Sequence, residues 1–121
     1  MTVDPTGADL KRYLSEDPGG SVVMLNLLQF ADGGRSGYDE YAREIVPFLD
    51  KVGAHIVYAG DTSTALVASD GFDWDAVLLV HYPSRAAFSQ MVADPDYQRV
   101  TELRTNALSH AVLQATTPWL R

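Results

Sequence analysis

Two successive passes of strand, helix and strand predict an α+β fold: a four-stranded antiparallel sheet with its helices on one face. Two apolar runs carry that expectation, Val22 to Phe30 and Trp74 to Tyr82, each followed by a stretch with helical spacing. A third observation joins them, because Asp70-Gly71 is a turn signal that sends the chain back on itself.

Met1 to Gly20 reads as an N-terminal extension, with a short helix over Asp9 to Leu14 that Pro18-Gly19-Gly20 terminates. Residues 21–121 then form one domain. Its first strand, Val22 to Phe30, is broken only by the polar Asn26 and Gln29. After the loop Ala31-Asp32-Gly33-Gly34, Ser36 is the expected cap of a helix running to Val52, and Gly53 stops it. Tyr38, Tyr41, Ala42, Ile45, Leu49 and Val52 share one face of that helix. Pro47 removes a backbone donor inside it and predicts a kink near Arg43.

The second strand is expected over His55 to Ala59, resuming over Thr64 to Ala68 after an irregularity at Gly60-Asp61. Pro83 ends the third strand and Ser84 caps a helix from Arg85 to about Val92. Asp94 and Pro95 suit the cap and first position of the next helix, which runs to about Leu108. His110 to Thr116 completes the sheet. Right-handed crossovers put both helical segments on one face, the split-βαβ or ferredoxin-like arrangement.

Composition narrows the function. For 121 residues, about 6,400 Å² of accessible surface is expected when folded, against roughly 19,000 Å² unfolded, which suits one core. A hydrophobic fraction of 46% excludes wholesale disorder. The net charge of −7 disfavours nucleic acid and anionic membrane surfaces, both of which need cationic contacts. Cysteine is absent, which removes disulfides, thiolate nucleophiles and Cys-ligated metal centres. With no long apolar run and no leader-like start, a cytoplasmic protein is expected.

Strand one points Val22, Met24, Asn26, Leu28 and Phe30 one way and Val23, Leu25, Leu27 and Gln29 the other. Strand three divides into Ala76, Leu78, Val80 and Tyr82 against Val77, Leu79 and His81. Both faces are largely apolar, whereas a sheet with one wet face should alternate. Two helical layers on one face leave the other uncovered. A second copy of the sheet, in a two-fold homodimer closing a barrel, is expected there; the alternative is that the N-terminal segment folds back over it.

These residues also resemble a known family. The markers are Val22 to Phe30, Tyr38 and Tyr41, Gly53 with Tyr58-Ala59-Gly60, and Trp74-Asp75 leading into Val80-His81-Tyr82-Pro83-Ser84-Arg85. Phe88, Met91, Asp94-Pro95-Asp96-Tyr97 and Arg104 follow in order. From about Ser21 to Thr117 the chain is similar to the bacterial domain-of-unknown-function family thirteen-thirty, of the dimeric α/β-barrel superfamily. That resemblance implies a ferredoxin-like homodimer forming a dimeric α/β barrel, and no agreed activity. Superfamily relatives include cofactor-independent monooxygenases, isomerases, cyclases and haem peroxidases, so fold alone conveys no chemistry.

Several residues are candidates for chemistry. Arg104 lies on the inward stripe of the last helix with Tyr97, Val100 and Leu108, where a guanidinium must be paired. It either holds an oxygen of a ligand or closes an internal salt bridge. Asn26, in mid-strand, either orients a polar substrate or satisfies a backbone group. Tyr82 is a candidate acid or hydrogen-bond donor, His81 a candidate proton carrier, and Trp74 and Tyr97 candidate pocket walls.

His55, His81 and His110 lie on three strands without metal-ligand spacing, so no metal and no cofactor is expected, and a haem or metal protein is the third reading. Neither a Gly-x-Ser-x-Gly elbow nor a P-loop is present. The leading expectation is a homodimeric small-molecule-binding protein, a cofactor-independent isomerase, cyclase or monooxygenase if it is an enzyme. The alternative is a non-catalytic dimeric binding module.

Overall fold

A computed structural model describes residues 3–70 and 73–120. The elements run α1 (Gly7–Ser15), β1 (Val22–Phe30), α2 (Arg35–Glu44), α3 (Val46–Lys51), β2 (His55–Asp61), β3 (Ala76–Tyr82), α4 (Arg85–Ala93), α5 (Pro95–Ala107) and β4 (Leu108–Thr116). The four strands form one open antiparallel sheet in the order β2-β3-β1-β4. The expected α+β, ferredoxin-like topology is the one observed.

Local chemistry accounts for most boundaries. The Ser84 hydroxyl accepts from the Ala87 amide at 3.1 Å and starts α4. The Asp94 carboxylate accepts from the Asp96 amide at 2.9 Å, and Pro95 opens α5 where a missing N–H costs nothing. Gly53, at φ +75°, reverses the chain after α3, a conformation that a side chain would strain. Thr6 and Asp9 form a reciprocal capping box on α1, which begins at Gly7 and ends at Ser15, before Pro18.

Several boundaries differ from expectation. Gly34, not Ser36, precedes the first residue of α2, and no side chain caps it. A Cβ at Gly34 would run into the Ala107 carbonyl oxygen, so the close approach of two backbones decides this start. The helix does not kink near Arg43 but breaks at Ile45, and Pro47 occupies the opening turn of a separate α3.

Thr64 to Ala68 is not a strand. Pairing from Asp61↔Ala76 to His55↔His81 uses β3 from its first residue through His81, and Leu66 and Val67 stand almost fully exposed. The irregularity in β2 falls between Ile56 and Tyr58, not at Gly60-Asp61. β3 begins at Ala76 rather than Trp74, and β4 follows α5 directly at Leu108. Of the expected Asp70-Gly71 turn, Gly71 lies outside the described residues.

The core sits between the helices and one sheet face. Val22, Met24 and Leu28 of β1 and Ala76, Val80 and Tyr82 of β3 are buried there against Tyr38, Tyr41, Leu49, Phe88 and Met91. The N-terminal segment joins this same side. Val3, Leu10 and Tyr13 pack on the core, Tyr13 meets Phe88 edge-to-face at 5.7 Å, and Arg85 donates to the Tyr13 carbonyl at 2.6 Å. It therefore does not fold over the opposite face, where Val23, Leu25, Leu27, Val77, Leu79 and Val112 stay half-buried and Tyr58 is 54% exposed. The accessible surface, 7756 Å², exceeds the roughly 6,400 Å² expected of a folded monomer this long.

Candidate functional site

A cavity of ≈ 280 Å³ lies between the sheet and the α2, α3, α4 and α5 helices. Its walls are apolar, from Ile45, Leu49, Leu78, Val80, Phe88 and Met91, and into them are set Asn26, Arg104 and four tyrosines. Strand alternation brings Asn26 of β1 and Tyr82 of β3 to this face, and helical spacing brings Tyr97 and Arg104 of α5. Tyr38 and Tyr41 arrive from α2 on the stripe that builds the core.

Arg104 is 5% exposed. Its Nη1 donates to the Val3 carbonyl at 2.6 Å and to Asp4 Oδ1 at 3.2 Å. Its Nη2 is buried and has no hydrogen-bond partner among the described residues. An unmet donor of this kind carries a desolvation cost unless something else occupies it. Asn26 is 8% exposed and, among the described residues, its amide nitrogen reaches only the Met24 carbonyl, at 3.5 Å. So long a bond leaves most of its capacity unused.

The Tyr41 and Tyr97 hydroxyls lie 3.0 Å apart and share a hydrogen bond. Phe48 meets the Tyr97 ring and Phe88 the Tyr82 ring, both edge-on, which fixes the tyrosines by packing. Burial pushes the Tyr38 hydroxyl up to about 12, opposed in part by the Arg104 charge. Burial first, then neighbouring phenols, raises Tyr41 and Tyr82 as well. These three phenols are held protonated, so they act as neutral hydrogen-bond donors rather than as bases.

Four of the six expected site residues, Arg104, Tyr82, Asn26 and Tyr97, thus converge. His81 does not, because the residue beside an inward Tyr82 must face outward. It stacks on His55 at 4.8 Å on the open face, and its Nδ1 is buried with no partner among the described residues. Trp74 lies before β3, outside the cavity walls, and its carbonyl accepts from the Thr62 hydroxyl.

Tyr38, Tyr41 and Asp4 were not singled out as site residues. The two tyrosines carried a signal, since hydroxyls on a buried stripe need partners. Asp4 carried none, being 100 residues from the Arg104 it contacts. Among the described residues no cluster of three or more His, Asp or Glu side chains is placed to hold a metal ion. No helix there is long and apolar enough to cross a membrane.

An open split-βαβ sheet with a largely apolar cavity under its helices defines a protein of the ferredoxin-like α+β class. The chain belongs to the family Domain of unknown function (DUF1330), whose model matches residues 26–116. It is similar to a protein of unknown function from Rhodopseudomonas palustris, at 27% identity and a TM-score of 0.89 over 99% of this chain and 98% of that one.

More distant likenesses, which extend to the fold alone, include two further structures. One is a putative antibiotic biosynthesis monooxygenase from Bacteroides thetaiotaomicron, with 19% identity and a TM-score of 0.59 over 83% and 90% of the two chains. The other is a dimeric ferredoxin-like protein of unknown function from Thermobifida fusca, with 10% identity and a TM-score of 0.56 over 84% and 93%. No curated protein matches the chain.

Proposed function

We propose that this protein is a homodimer in which each protomer binds a small, largely apolar molecule through an oxygen atom presented to Arg104 and Asn26. The observation that carries the reading is the buried Arg104 Nη2 without a partner among the described residues, on the wall of a cavity large enough for a ligand. Asn26, Tyr82 and Tyr97 supply further donors around it.

If the protein is an enzyme, the chemistry that suits these groups is proton transfer or enolate formation on a carbonyl compound. Arg104 stabilises the negative charge developing on the substrate oxygen, and the dry surround strengthens that interaction. Isomerisation, cyclisation and cofactor-independent oxygenation all fall in this class. The Bacteroides thetaiotaomicron neighbour, described as a putative monooxygenase, is compatible with it at the level of fold.

The homodimer rests on the half-buried apolar face carrying Leu25, Leu27, Val77 and Leu79, which nothing in the described chain covers. Pairing of two such faces would bury His55 and His81 in the interface. The Thermobifida fusca neighbour, described as dimeric, supports a dimer at the level of fold.

A thermal-shift screen of aromatic and keto compounds tests the ligand reading. Stabilisation of the wild type, lost in Arg104→Ala, is the expected result; no shift with any compound overturns it. The Asp4–Arg104 ion pair favours a second reading, a non-catalytic dimeric module in which Arg104 clamps the N-terminal segment. That module predicts an Arg104→Ala variant of lower melting temperature and a wild type blind to every compound.

A further inference from the structure

The cavity carries its own counter-ion. Arg104 Nη1 binds Asp4 Oδ1, while Asp4 Oδ2 accepts from the Thr105 hydroxyl at 2.8 Å, so the carboxylate is pinned on both oxygens. Asp4 comes from the N-terminal segment, and the neighbouring Val3 carbonyl occupies the same guanidinium nitrogen. Glu102 also lines the cavity. Among the described residues the ionisable walls thus bring two carboxylates and one guanidinium, alongside phenols that burial keeps protonated.

From this balance we infer that Asp4 is a specificity-determining residue, which restricts the cavity to uncharged ligands bearing an oxygen acceptor, such as ketones, and excludes carboxylates. The inference rests on the proposed reading of the cavity as a ligand site. A neutral carbonyl oxygen meets Arg104 Nη2, a strong donor with no partner among the described residues, and loses little hydration on entry. A carboxylate of the same shape gives up far more hydration, and the cation it would need is already neutralised. It would also approach Asp4 and Glu102 at the cavity wall, and like charges brought together repel.

Acetophenone and benzoate separate these cases, since both are a flat ring bearing a carbonyl carbon and they differ in charge. Calorimetric titration of the wild type is expected to show acetophenone binding at least about tenfold more tightly than benzoate. Asp4→Asn removes the charge while keeping an oxygen for Thr105. It is expected to raise benzoate affinity at least about tenfold relative to acetophenone, so that the wild-type preference shrinks or vanishes.

Benzoate binding the wild type as tightly as acetophenone overturns the inference and leaves the cavity a ligand site. A benzoate affinity unchanged in Asp4→Asn does the same. Binding of neither compound, to wild type or variant, overturns the ligand reading itself and the inference with it. The wild-type preference needs no variant, so a misfolded Asp4→Asn would still leave the central comparison decided.

Discussion

The two faces of the sheet are built from alternate residues of the same strands, yet they have opposite characters. On the covered face Val22, Met24 and Leu28 are buried and enclose polar groups, Asn26 and Arg104, that an oily interior would not by itself select. On the open face Val23, Leu25, Leu27, Val77 and Leu79 are apolar without being enclosed. The difference teaches where the two proposals rest: the dimer on apolar residues left uncovered on one side, the ligand site on polar groups enclosed on the other.

The largest way to break the contrast is Leu28→Ala. Leu28 is 0% exposed, and the void it leaves should cost about 2–5 kcal/mol in chemical denaturation. A loss below about 1 kcal/mol would mean the covered face is looser than its packing implies. Arg104→Ala comes next, at about 1–3 kcal/mol, because it strands the Val3 carbonyl and Asp4. Partial exposure of Asp4 keeps that loss below the value for a fully buried pair.

Alkaline titration also sharpens the contrast. The folded state holds the Tyr38 proton until about pH 12, whereas the unfolded phenol releases it near 10.0. Tyr13, half-buried against the core, is likewise pushed up to about 12 by that burial. Folded protein binds these protons more tightly, so their stabilisation is complete below pH 10 and is lost as pH rises toward 12. In a Tyr58→Phe variant, which removes the exposed phenol, ultraviolet phenolate absorbance should rise together with loss of the near-ultraviolet dichroism. Early ionisation with dichroism intact would show the cavity wet.

On the open face, Leu25→Lys should change protomer stability by only about 1 kcal/mol while halving the sedimenting mass of the proposed dimer. An unaltered mass would remove Leu25 from the interface. The smallest effect is expected from Asn26→Leu, within about 1 kcal/mol of wild type, because its 3.5 Å bond to Met24 is weak. A destabilisation of several kcal/mol would make Asn26 a structural residue.

Elements with a local cause were readable from the chain. Ser84, Asp94-Pro95 and Gly53 announce their boundaries through chemistry within a few residues. The start of α2 was not, since Ala107, which excludes a side chain at Gly34, is distant in sequence. The continuation expected over Thr64 to Ala68 failed for a related reason: strand propensity needs an unpaired partner edge, and β3 had none left. In the site, Arg104, Asn26, Tyr82 and Tyr97 were visible as polar groups on buried stripes, and Asp4 was not.

Periodicity and capping by themselves determined the α+β class, the strand faces and the inward position of Arg104, because each depends on neighbours along the chain. Tertiary structure alone decided that the N-terminal segment would lie against α5 and deliver a carboxylate to that arginine. It also decided that His55, from a strand distant along the chain, would stack on His81 on the open face. Those outcomes depend on which distant backbones can approach one another, and no local pattern encodes that distance.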